Sequence, residues 1–325
     1  MFKYDILCIG SATLDNFLTI EQKFDSIHPG DKVLVKNIEK HSGGGGTNSA
    51  AALSKLGLKV KLLTKLGNDH DAEFIHQEMK KFKVKNICLH HSHHHTDFST
   101  LVYSTPDKNR VIYVHKGASQ DLAVTDFKKS QLKAEWVYLA TLVGKSLQTA
   151  KEIVKSAENK SLKLLFNPSL YLAKLGKSSL APILKNTTIL VLNKDEAQAL
   201  LKTTSNSFNL LLFGLQKLGP PVVVITNGPK RVYALHENII YSVLPPEVKV
   251  VHTAGAGDAF TSGLLAGTIK KYPFADALKL GMVNSLSVIQ HIGTKHKLLN
   301  MPEANQAIQK YHPQVISHAC KDNNR

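Results

Sequence analysis

The chain has 325 residues, 43% of them hydrophobic, enough for a full core and too apolar for a disordered or fibrous protein. Its net charge of +16 admits nucleic acid, a membrane surface or an anionic small molecule, but the lysines are dispersed and no RNA- or DNA-binding motif accompanies them, so nucleic acid is set aside and a merely solvated basic surface stays open. Cys8, Cys88 and Cys320 lack disulfide or metal spacing and no run reaches the roughly 18 apolar residues of a membrane helix, so a cytoplasmic protein without a membrane partner is expected.

Lys3 and Asp5 break the first apolar run, which speaks against a secretory signal. Tyr4 to Gly10 reads as a buried strand, and Asp15 follows its carboxyl end, where open α/β sheets bind ligands. A carboxylate there can accept two hydroxyl hydrogen bonds, as a polyol would offer, or it can simply end a turn. Asn16–Ile20 and Lys32–Val35 look like strands around a Pro29-Gly30 turn. The glycines from Gly43 to Gly46 allow close backbone approach to a ligand, Thr47 or Asn48 can cap the helix that follows, and Gly57 suits its end. A flexible loop before a helix would look the same.

Val60–Gly67 is the next strand, and Asp71–Phe82 an amphipathic helix with Ala72, Ile75, Met79 and Phe82 on its core face. Five of the six residues from His90 to His95 are histidine, which invites a metal; a polar connector is preferred, because only Asp97 stands nearby as a further ligand. Ser99–Tyr103 and Arg110–Val114 flank a Pro106–Asn109 turn and read as a hairpin, after which Lys116-Gly117-Ala118 returns the chain.

From Glu135 onward, strands at 135–140, 162–166, 189–192 and 222–226 alternate with helices, the pattern of a parallel sheet covered on both faces. Gly144-Lys145-Ser146 imitates the end of a Walker A loop, but Leu139 stands where its glycine is required. Asn193 and Glu196, three apart at a helix start, can orient magnesium-bound water; the same spacing is a capping box. Thr226-Asn227-Gly228 ends a strand, and Lys230 or Arg231 beyond it either reaches a phosphate or stays exposed. Val248–Val251 is rich in strand formers and leads into Thr253-Ala254-Gly255-Ala256-Gly257-Asp258-Ala259-Phe260 and a helix. Amides at such a helix start attract an anion, and Asp258 beside them can take a proton from a hydroxyl, or only cap the helix. Pro273–Ile292 reads as a long helix ended by Gly293, and the polar tail from Pro313 is expected to fray.

The stretch Thr253–Phe260 resembles the C-terminal signature of the ribokinase-like (PfkB) family of sugar and nucleoside kinases, and Ser42–Gly57 resembles its N-terminal signature. The resemblance spans nearly the whole chain, since Asp15, Asn193/Glu196 and Thr226/Gly228 also fall in family order. It implies a three-layer α/β/α sandwich with a central, mostly parallel sheet and a small β-sheet lid. The large domain would be residues 1–15, 41–95 and 117–325, and the lid 16–40 and 96–116. It further implies transfer of the γ-phosphoryl of MgATP to a sugar hydroxyl, with a nucleoside as the alternative acceptor and a non-catalytic ligand sensor as the second alternative. Asp258 would be the catalytic base and the Gly255, Ala256 and Gly257 amides the anion hole. Asp15, Gly43, Gly44, Gly45 and Asn48 would bind the acceptor. Asn193, Glu196, Thr226, Gly228, Thr253, Asn284 and Gly293 would bind the nucleotide, with Mg²⁺ held by Asn193 and Glu196 through water. Ribokinases proper tend to have Lys at the position of Gly45, which argues against ribose. His252 replaces an acid that helps many members bind a stimulating monovalent cation, so potassium dependence is left open. A homodimer through the lid is one assembly the resemblance admits.

Overall fold

The computed structural model describes residues 3–90, 93–157 and 163–320. In chain order the strands are β1 (Ile6–Ile9), β2 (Thr13–Ile20), β3 (Val35–Gly43), β4 (Val60–Leu66), β5 (Lys85–His90), β6 (Asp97–Ser104), β7 (Asn109–His115), β8 (Trp136–Leu139), β9 (Lys163–Phe166), β10 (Ile189–Asn193), β11 (Val222–Thr226), β12 (Val232–His236), β13 (Ile239–Val243) and β14 (Val315–Ala319). The helices that matter below are α1 (Gly45–Lys55), α2 (His70–Lys81), α3 (Lys145–Ala157), α4 (Leu170–Lys174), α5 (Gly176–Leu184), α6 (Lys194–Leu201), α7 (Phe208–Gln216), α8 (Ala256–Ile269), α9 (Phe274–Ile289) and α10 (Met301–Tyr311).

One sheet has the order β14-β13-β12-β11-β10-β9-β8-β1-β4-β5. It is parallel from β5 to β11, and β12 to β14 add an antiparallel edge. Its central strands β1, β8, β10 and β11 are almost wholly apolar because both faces are covered. Ile6, Cys8, Ile189, Val191, Val222 and Val224 turn to a core shared with α1, α2, α8, α9 and α10. Leu7, Ile9, Leu190, Leu192, Val223 and Ile225 turn to a second core under α3, α5, α6 and α7. These are the three expected layers. A separate four-stranded sheet, β3-β2-β6-β7, is joined to the first by the short link between β1 and β2. Among the described residues no helix is long and apolar enough to cross a membrane.

Several expectations need correction. β2 begins at Thr13, so Asp15, expected to close the first stretch of the large domain, lies within the small sheet. β3 runs Val35–Gly43 and not Lys32–Val35, because its register with β2 carries Gly43 opposite Thr13. Val248–Val251 is not a strand. The preceding Pro245 and Pro246 offer no N–H to a ladder, and the amides of Val251 and His252 both donate to the Ile289 carbonyl, at 2.8 and 3.1 Å. Val315–Ala319 does not fray: it pairs antiparallel with β13 over five residues. The polar connector expected at His90–His95, with its metal-binding alternative, falls largely outside the described residues or side chains. Among those described, no group of three or more His, Cys, Asp or Glu is placed to hold a metal.

Candidate active site

The carboxyl ends of β1, β8, β10 and β11 and the first turns of α1, α6 and α8 meet at one edge of the large sheet. They enclose a cavity of about 690 Å³ lined, among others, by Gly44, Gly45, Asn193, Thr226, Gly257 and Asp258. Both glycine-rich stretches therefore face the same space, 210 positions apart. The contact that joins them is the Asn48 Nδ2 group, which donates to Asp258 Oδ2 at 2.8 Å.

Each loop needs glycine for a local reason. A Cβ on Gly43 would overlap the Asp15 carboxylate, whose Oδ1 accepts from Ser99 Oγ of β6 at 2.6 Å. Gly255, the residue before α8, has φ +80°, and a Cβ there would stand 2.7 Å from the Thr294 carbonyl oxygen. That turn leaves the first amides of α8 without intrahelical acceptors at the positive end of the helix dipole, next to Asp258.

The charges are few and close. Burial pushes Asp258 up to about 6; the Asn48 hydrogen bond and the Lys295 ammonium oppose the rise, and Asp15 adds to it. Burial likewise raises Asp15, against Ser99 and the nearby cations. Lys295 is buried and pushed down to about 8, with Glu78, Asp15 and Asp258 opposing the fall. Burial pushes Glu196 up to about 7. A carboxylate that ionises just below neutral pH is suited to accept a proton at neutral pH.

Asn193 and Glu196 form a complete capping box: Asn193 Oδ1 accepts from the Glu196 amide at 2.9 Å, and Glu196 Oε2 from the Asn193 amide at 2.8 Å. The helix-cap and ligand readings therefore coexist, since both residues also line the cavity. The Glu196 carboxylate also accepts from the Leu170 amide, and burial raises it, so a cation placed beside it would favour its charged form. That fits magnesium, which typically takes one or two carboxylates and keeps its waters and phosphates as other ligands. Asn193 Oδ1 accepts one hydrogen bond in the cap and keeps a second lone pair, which suits contact through a metal-bound water.

Other expected contacts are not in the cavity. Asn284 is fully buried between α8 and α9; its Nδ2 donates to the Ala259 carbonyl at 2.8 Å and its Oδ1 accepts from the Leu299 amide at 3.2 Å, so it cannot meet adenine. Gly293 lies against the His41 ring and Gly228 in an exposed turn. Thr253 is exposed, and its hydroxyl accepts from Arg110 of β7 at 3.2 Å. Asp15, Gly43 and Asn48 do not line the cavity; Asp15 stands against Gly43, and Asn48 reaches the cavity wall through Asp258.

Lys295 escaped the sequence reading altogether, and Thr294 was expected only as part of a Gly293-Thr294 turn beside adenine. Thr294 Oγ1 and Lys295 Nζ both donate to Asn48 Oδ1, at 2.8 and 2.9 Å. Thr294-Lys295-His296-Lys297 reads as a basic surface turn, and nothing in its pattern marks Lys295 as buried.

An α/β/α sandwich with a small sheet beside a cavity built from two glycine loops and an aspartate defines a small-molecule kinase. Residues 3–301 match the model of the pfkB family of carbohydrate kinases, and the chain belongs to that family. It is 24% identical over 309 residues to a nucleoside kinase of Methanocaldococcus jannaschii, covering 94% of this chain and 96% of that one. It is 25% identical over 314 residues to a ribokinase of Staphylococcus aureus, covering 93% and 98%. A solved putative ribokinase II from E. coli, in complex with ATP and Mg²⁺, superposes with a TM-score of 0.82 at 16% identity, covering 94% of this chain and 99% of that one.

Proposed function

We propose that the protein transfers the γ-phosphoryl of MgATP to a hydroxyl of a sugar or sugar derivative, with Asp258 as general base. The observation that carries this reading is the Asn48–Asp258 hydrogen bond, which ties an ionisable carboxylate in the first turn of α8 to the helix that follows the first glycine loop; the Ala256 amide there donates to the Thr253 carbonyl at 3.3 Å and would have to exchange that partner for an anion. Asp258 takes the proton of the attacking hydroxyl. The Gly255–Gly257 segment offers amides to the charge on the transferring group, and Asp15 accepts hydrogen bonds from other acceptor hydroxyls. Magnesium, when bound near Glu196, neutralises charge on the nucleotide phosphates. Little covalent work is asked of the protein, so orientation and electrostatics supply most of the acceleration.

A nucleoside acceptor is the second reading. Leu142, Val143 and Tyr171 give the cavity an apolar wall that a base would use and a bare sugar would not. A panel of sugars, sugar acids and nucleosides, assayed for acceptor-dependent ADP release with product mass confirmed, separates the two. Binding of ATP and an acceptor with no ADP formed would replace both readings with a ligand sensor.

A further inference from the structure

Lys295 is a buried ammonium that the reaction, as described, does not use. It sits in the turn after α9, its side chain only 3% exposed, 4.0 Å from the Glu78 carboxylate of α2. Its Nζ donates to the Ser42 carbonyl and, at 2.9 Å, to Asn48 Oδ1. A lysine is almost never buried unless paired, and the ion-pair partner of this one, Glu78, stands 4.0 Å away, farther than its hydrogen-bond partners. Its partners are the backbone that opens the first glycine loop and the amide that touches Asp258.

The consequence for Asn48 is geometric. Two donors, Lys295 Nζ and Thr294 Oγ1, converge on one side of its amide. The oxygen must face them, so Nδ2 must face the other way, toward Asp258 Oδ2. We propose that Lys295 is a positioning residue for phosphoryl transfer: its ammonium locks the Asn48 amide in the orientation that donates to Asp258 and places a compensating positive charge behind that carboxylate. The charged and titratable groups around Asp258 are Lys295, Asp15 of β2, Tyr138 of β8 and Glu196 of α6. Glu78 faces Lys295 from α2, and His41 of β3 stands near Asp15. Among them Lys295 is the cation that acts on Asp258, so removing it leaves a carboxylate surrounded by acids and a phenol. The consequence for turnover rests on the kinase reading; the consequence for the carboxylate does not.

The test compares wild type, Lys295→Met and Lys295→Gln in the full chain. The Asp258 carboxyl is titrated by ¹³C NMR without nucleotide, its signal assigned by its loss in Asp258→Asn. Both Lys295 variants are expected to raise the Asp258 midpoint by about one pH unit, the low end of what a nearby opposite charge does. Lys295→Gln keeps a donor for Asn48 and tolerates burial, so it decides the matter if Lys295→Met does not fold. In turnover, the acid limb of the kcat profile should move up by the same amount while KM for ATP stays put, with Lys295→Gln losing less kcat than Lys295→Met. A midpoint unchanged in the folded variants overturns the proposal. Wild type that phosphorylates no acceptor, with the midpoint still shifted in the Lys295 variants, overturns the kinase reading and leaves the Lys295–Asp258 coupling standing.

Discussion

Asn48 and Asp258 lie 210 residues apart in the chain, and their side chains meet at 2.8 Å. The first sits in the opening turn of α1 and the second in the opening turn of α8. The two helix starts are thus tied to each other by the residue expected to do the chemistry, and strain in either loop should be felt at the carboxylate.

The pH dependence follows from Asp258, whose carboxyl stands near 6 instead of 3.8. Turnover needs it ionised, so kcat should rise with pH and level off above about 6. The sign for stability is the reverse. A raised carboxyl binds its proton more tightly folded than unfolded, so the ionised group costs stability as pH rises from about 4 to about 6. Asp258→Asn should therefore melt higher than wild type above pH 6, and thermal unfolding should show that advantage shrinking below pH 4.

Gly255→Ala should damage the anion hole without touching a reacting side chain. A φ of +80° costs an L-residue roughly 1–2 kcal/mol, and the new methyl would press on the Thr294 carbonyl at 2.7 Å. Since Thr294 also holds Asn48, the expected result is a lower unfolding midpoint together with a loss of kcat that exceeds the change in acceptor KM.

Asn284→Ala distinguishes a core hydrogen bond from a nucleotide contact. It removes the acceptor of the partly buried Leu299 amide and a second donor from the Ala259 carbonyl, which keeps its partner within α8, a loss of about 1 kcal/mol. Denaturant unfolding should register that loss, while the ATP affinity measured by calorimetry should not change.

Potassium should have little effect. Burial holds the His252 imidazole down to about 4, so it is neutral at working pH, and its Nδ1 accepts from the Ala254 amide at 3.1 Å. No carboxylate stands there to attract a cation. The kcat in potassium should equal that in tetramethylammonium, and a strong potassium requirement would show that other oxygens form the site.

What could be read beforehand follows from which forces are local. The parallel strands β10 and β11 are buried on both faces and show as apolar runs, Ile189–Leu192 and Val222–Ile225. The two glycine stretches announce themselves by composition. β14 did not: its residues are mostly exposed, and its partner β13 lies some 75 positions upstream, so nothing in the tail itself signals pairing. Asn284 was misplaced for a related reason, since an asparagine on a helix looks alike whether it faces a ligand or a neighbouring carbonyl. Lys295 was invisible because its burial depends on Ser42, Asn48 and Glu78, all more than 200 residues away. Asn193 and Glu196 were legible as a pair, and the structure retains both of their readings.

The central claim is that one aspartate accepts the proton of the acceptor hydroxyl. Its most direct test is Asp258→Asn, with kcat followed alongside calorimetric ATP binding. The account predicts a fall in kcat of roughly 10²–10⁴ with ATP affinity largely retained. Turnover at the wild-type rate in that variant would contradict it.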